Sequence, residues 1–104
     1  MNKEGLEFVI VRTAEAGVHM GYLLEEKQAI QGGYPVTLIE TRRIWEWQGA
    51  NSLSELGALG SSKPDDCRFA LTLPKNKMIA IEIISVTPQA KANLEAVPMW
   101  KFKK

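Results

Sequence analysis

A run in which apolar and other side chains strictly alternate can half-bury itself only as a β-strand, because a helix would scatter the same residues around its circumference. From Val18 to Leu24 the chain alternates in this way, with Val18, Met20, Tyr22 and Leu24 on one face and His19, Gly21 and Leu23 on the other. Just before it, Phe8 to Thr13 is a short β-branched run, and Gly17 supplies a permissive backbone for a reversal. These segments predict a hairpin, followed by an exposed polar loop over Glu25 to Gly33.

Val36 to Gln48 is the longest candidate strand, but Val36 and Leu38 are out of phase with Trp45 and Trp47. A bulge near Glu40, Thr41 and Arg42 would bring them onto one face, since an extra residue re-aims every side chain beyond it. Ser52 and Glu55 have the spacing of a capping box and predict a short helix carrying Leu53, Leu56 and Leu59, ended by Gly57 and Gly60. Arg68 to Leu73 reads as a strand stopped by Pro74. Met78 to Val86, with Glu82 as its one charge, reads as the centre of the sheet covered on both faces, where Ile81→Asp would unfold the protein. Thr87 and Pro88 are an N-cap and a first-turn proline, and Ala90, Leu94 and Val97 recur on one helical face that Pro98 ends. Trp100 and Phe102 alternate with lysines in an extended tail. The fold expected is α+β: one domain over residues 1–104, an antiparallel sheet of about five strands with two short helices packed on it.

Composition narrows the chemistry. Thirteen Lys+Arg against twelve Asp+Glu leave a net charge of +1, too little to hold a nucleic acid or membrane surface by charge alone, despite the basic tail Lys101 to Lys104. One cysteine, Cys67, and one histidine, His19, cannot form a disulfide or a Cys/His zinc set, so neither metal nor cofactor is expected. No apolar stretch reaches the ~20 residues of a membrane span, and the N-terminal residues do not read as a cleaved leader, so a cytoplasmic location is expected. Nucleophile-elbow, zinc-protease, redox-dithiol and phosphate-loop motifs are absent, which disfavours an enzyme.

The distinctive run is Arg42-Arg43-Ile44-Trp45-Glu46-Trp47. Guanidinium groups grip phosphate or carboxylate in a fixed fork and indole faces stack on flat rings, so Arg42, Arg43, Trp45 and Trp47, with Arg12 and His19 behind them, are the candidate ligand-binding residues. Of the two arginines, Arg43 is the preferred one, since it shares a face with Trp45 and Trp47 in an unbroken strand. The free amides of the helix beginning after Ser52 would add a second anion-attracting feature. The bland alternative is that the tryptophans fill a core or interface while the arginines pair with Glu40 and Glu46.

Taken with Val11-Arg12-Thr13, Ala16-Gly17-Val18-His19, Gly21-Tyr22-Leu23, the stretch Gly49-Ala50-x-Ser52-Leu53, Ala80-Ile81-Glu82-Ile83-Ile84 and Val97-Pro98-x-Trp100, this run resembles a widespread group of small phage and prophage proteins classed as a domain of unknown function. The resemblance implies phage origin and action in the bacterial cytoplasm, and carries no activity with it. The segment from Ala29 to Tyr34 is longer than a simple hairpin turn would be. The functional expectation is a non-enzymatic phage accessory protein that sequesters a nucleotide-type host immune signal, a cyclic oligonucleotide or ADP-ribose derivative, in pockets of a homo-oligomer. The alternative is an inhibitor that docks on a host defence or regulatory protein.

Overall fold

The computed structural model describes residues 3–101; Phe102, Lys103 and Lys104 of the expected tail lie outside the described residues. Five strands, β1 (Phe8–Thr13), β2 (Val18–Glu26), β3 (Tyr34–Glu46), β4 (Arg68–Phe69) and β5 (Leu73–Ser85), form one antiparallel sheet, with helices α1 (Leu53–Leu59) and α2 (Pro88–Glu95). The α+β architecture expected from the sequence is the one observed. The strand order is β2-β1-β5-β3-β4, and an additional β2–β3 pairing joins β1, β2, β3 and β5 into a ring.

Closing the sheet on itself buries residues on both faces of β1, β2 and β3. Val9, Val11, Val36, Leu38 and Ala80, joined by the partly buried Leu23, come from all four ring strands and fill its interior. The alternate residues Phe8, Ile10, Met20, Tyr22, Ile39 and Ile44 point outward, where Leu56, Phe69, Leu94 and Val97 cover them. Up to Leu23 the two faces of β2 are those that its alternation predicts; Leu24, expected on the face of Met20 and Tyr22, is instead an exposed extra residue where the register shifts between Leu23 and Glu25. The helices cap as their sequences require: Ser52 Oγ accepts from Glu55 N–H (3.1 Å), and Thr87 Oγ1 accepts from Ala90 N–H (3.1 Å). Ala90 and Leu94 form the buried stripe of α2.

The bulge in β3 is real. Tyr22 pairs with Ile39 and Met20 with Arg42, so two residues of β3, Glu40 and Thr41, oppose Gly21 alone, and Glu40 takes φ 47°. Thr41 Oγ1 donates to Met20 O (2.9 Å) across the irregularity. Gly21 faces it, and a Cβ there would lie 3.0 Å from the Thr41 Cβ.

Several boundaries differ from expectation. Glu25 and Glu26 belong to β2, because they pair with Thr37 and Val36. The strand expected from Arg68 to Leu73 shrinks to two residues, and Pro74 lies inside β5. There it stands between Leu73, paired with Thr41, and Lys75, paired with Ile39, opposite the bulged Glu40, where a missing N–H interrupts the least. β5 does lie between β1 and β3, but it is not covered on both faces: Ile79 and Ile81 are 43% and 40% exposed. Ile81 is the extra residue of a second bulge, since Arg12 pairs with Glu82 and Thr13 with Ala80. Ile81→Asp therefore should not unfold the protein. We expect a soluble mutant with a cooperative melt and a loss below about 1.5 kcal/mol, measured by urea denaturation.

Candidate functional site

The bulge decides what the Arg-Trp run can do. Past the inserted residue, Arg42 and Ile44 face the helices, and Thr41, Arg43 and Trp45 continue the face that carries Val36 and Leu38. Arg42 is 7% exposed. Its Nε donates to Ala70 O (2.8 Å) and its NH1 to Val97 O (2.7 Å), and its guanidinium lies 5.3 Å from the Phe69 ring centroid. Burial pushes its pKa below the usual arginine value. Arg42 thus ties the β4–β5 connection and the end of α2 to β3, and is not among the residues that line the cavity beside Arg43.

Arg43 is exposed and stands directly opposite His19 in the β2–β3 register. With Thr41, Trp45, Leu71, Leu73 and Asn76 these two residues line a cavity of about 190 Å³ between β3 and the start of β5. Trp45 is 54% exposed, and its ring meets that of Trp100 edge-on at 5.8 Å. Arg68 lies over Trp100 at 5.1 Å, and its Nε is 3.6 Å from Glu46 Oε1. Arg43 itself has no carboxylate partner among the described residues. Its charge remains available to an anion.

His19 is buried, with Nε2 2.8 Å from Ala16 O. Burial pushes its pKa below 6.5, the Ala16 carbonyl opposes that shift, and the Arg43 charge adds to it. The unfolded chain therefore takes up the proton first as pH falls. Stability is complete above about pH 6.5 and declines below it, by at most about 1.4 kcal/mol per pH unit for one proton. Thermal melts between pH 7.5 and 5 should show this decline, and His19→Gln should flatten it.

The remaining candidates lie elsewhere. Arg12 pairs with Glu82 (3.0 Å) on the exposed side of β1 and β5. Trp47 falls beyond the end of β3 at Glu46 and packs, half-buried, against the helix-side core. It does not share the face of Arg43 and Trp45. The first turn of α1 is closed by its own side chains, Ser52 and Glu55, the latter accepting from Asn51 N–H (2.9 Å), and none of its residues lines the cavity. Glu40 pairs with Lys3 (3.2 Å) rather than with an arginine. Cys67 is a buried thiol near Ser61 Oγ (3.4 Å) in the helix-side core, and it does not line the cavity that His19 borders. Leu71, Leu73 and Asn76 were not foreseen as site residues, because they reach the cavity only through the β3–β5 pairing.

A family model described as a domain of unknown function, DUF6948, matches residues 6–94. The chain belongs to the DUF6948 family. The match begins just before β1 and ends within α2, so in DUF6948 terms it takes in the whole ring, both bulges and the His19–Arg43–Trp45 cavity. No curated protein and no solved structure matches the chain. Among the described residues no helix is long and apolar enough to cross a membrane.

Proposed function

We propose that this DUF6948 chain is a non-enzymatic binding domain of phage origin, acting in the bacterial cytoplasm, whose Arg43–Trp45 cavity captures a nucleotide-type host signal. The observation that carries the reading is one unpaired guanidinium beside one half-exposed indole in a shared cavity, with a neutral histidine behind them. Such a set matches a flat ring bearing one anionic group. At about 190 Å³ the cavity holds a fragment of a nucleotide and not the whole. A second copy of the chain would complete the pocket for a cyclic oligonucleotide or an ADP-ribose derivative, which makes a homo-oligomer part of the proposal.

Calorimetry against cyclic dinucleotides, cyclic trinucleotides and ADP-ribose derivatives tests it. At least one should bind, and Arg43→Gln should weaken that ligand by about tenfold or more while moving stability by less than about 1 kcal/mol, because Arg43 satisfies no buried partner. Silence from every ligand class would defeat the reading.

A second reading has its own support. Trp45, Leu71 and Leu73 are 54%, 56% and 42% exposed and adjoin Arg43, a combination of aromatic, aliphatic and arginine surface found at the energetic centres of protein interfaces. In that case a pull-down from host lysate should retain one protein stoichiometrically with wild type and lose it with Trp45→Ala.

A further inference from the structure

The sheet ring is incomplete at one place. Among the described residues β1 pairs with β5 only between Thr13–Ala80 and Val9–Ser85, and the earlier half of β5 has β3 as its single neighbour. Pro35 O accepts from Lys27 N–H (2.8 Å), which turns the Pro35 peptide toward β2. Its opposite residue Ile79 therefore directs its backbone groups away from β3, and so, at intervals of two, do Lys77, Lys75 and Leu73. The β1–β2 turn approaches Lys77 and Ile79 across a cavity of about 380 Å³. From Leu73 to Lys77 the outer edge has no strand beside it among the described residues.

The proline does not block this edge. Pro74 lies at an alternate position, so its missing donor faces the β3 bulge, and the outward N–H groups at Leu73, Lys75 and Lys77 are intact. The edge side chains set the charge. Lys75 and Lys77 are exposed and make no ion pair among the described residues, while each of the two cavities that Lys77 borders has one carboxylate in its lining, Glu15 in the first and Glu25, accompanied by Lys27, in the second. Edge lysines resist self-association: antiparallel pairing of two copies about Asn76 would set Lys75 of each against Lys77 of the other. The same two charges favour a strand with carboxylates at alternate positions.

We infer that the free edge of β5 accepts an extended acidic segment of a protein partner as an additional strand. The main-chain ladder supplies register and the lysines supply selection. This edge is distinct from the Arg43 cavity and does not depend on the ligand proposed for it.

Fluorescence anisotropy with a labelled, capped heptapeptide alternating valine and glutamate tests the inference, with the valine–lysine counterpart as comparison. The acidic peptide should bind saturably and the basic one should not. The exposed double variant Lys75→Glu/Lys77→Glu, confirmed folded by its thermal melt, should lose about tenfold or more in affinity for the acidic peptide and gain the basic one. Amide exchange at Lys75 and Lys77 should slow when the acidic peptide is bound. Equal binding of the two peptides, no saturable binding, an unchanged affinity in the double variant, or protection confined to other strands would each overturn it.

Discussion

Arg42→Met is expected to lower the unfolding free energy by about 3–5 kcal/mol, the largest effect of any single polar substitution considered. Methionine approximates the length of the arginine stem and keeps its packing on Phe69, so the loss isolates the guanidinium. Without it, the Ala70 and Val97 carbonyls lose charge-assisted bonds of 2.8 and 2.7 Å in a largely dry site, and each stranded acceptor costs about 1–3 kcal/mol. The comparison with Arg43→Gln is the informative one. Two adjacent arginines should separate cleanly, one affecting stability and the other binding. A urea titration in which Arg42→Met shifts the unfolding free energy by less than about 1 kcal/mol would show that the carbonyls find other donors.

Gly33→Ala should be nearly as damaging, by about 2–4 kcal/mol, for a different reason. Gly33 has φ 135°, a conformation that an L side chain rarely adopts, and an added Cβ would overlap the Ala80 carbonyl oxygen. That oxygen belongs to backbone and cannot swing aside. Ala80 also marks the point where β5 passes from β3 to β1, so relieving the overlap means opening the ring. Gly32→Ala is the matched control: its φ is 101°, yet nothing lies within 4 Å of the added Cβ, leaving only the conformational cost of about 1 kcal/mol. If the two variants melt together, the ring does not depend on the close approach at Gly33.

The hairpin, both helices with their caps, and the β3 bulge were legible in the amino-acid sequence because each rests on local rules. Alternation assigns Met20 and Tyr22 to one face and His19 and Leu23 to the other whatever lies beyond them. Thr87 caps α2 through a bond three residues away. The bulge was detectable because two apolar pairs in one strand, Val36 and Leu38 against Trp45 and Trp47, had incompatible phases. It moved Trp45 as expected, but Trp47 escaped the argument because β3 ends at Glu46 and the chain then turns into the helix-side core.

Other features depend on long-range pairing, which no local pattern encodes. Ile81 reads as core by composition and becomes a half-exposed bulge because β1 and β5 differ by one residue in register. Pro74 reads as a strand stop and is tolerated because it faces another bulge. The candidate site divides along the same line. Residue type alone nominated Arg43, Trp45 and His19, since guanidinium, indole and imidazole have the chemistry of ligand binding wherever they occur. Which arginine was free for it was decided by the carbonyls of Ala70 and Val97, 28 and 55 residues further along the chain, that the closed sheet delivers to Arg42 and not to Arg43.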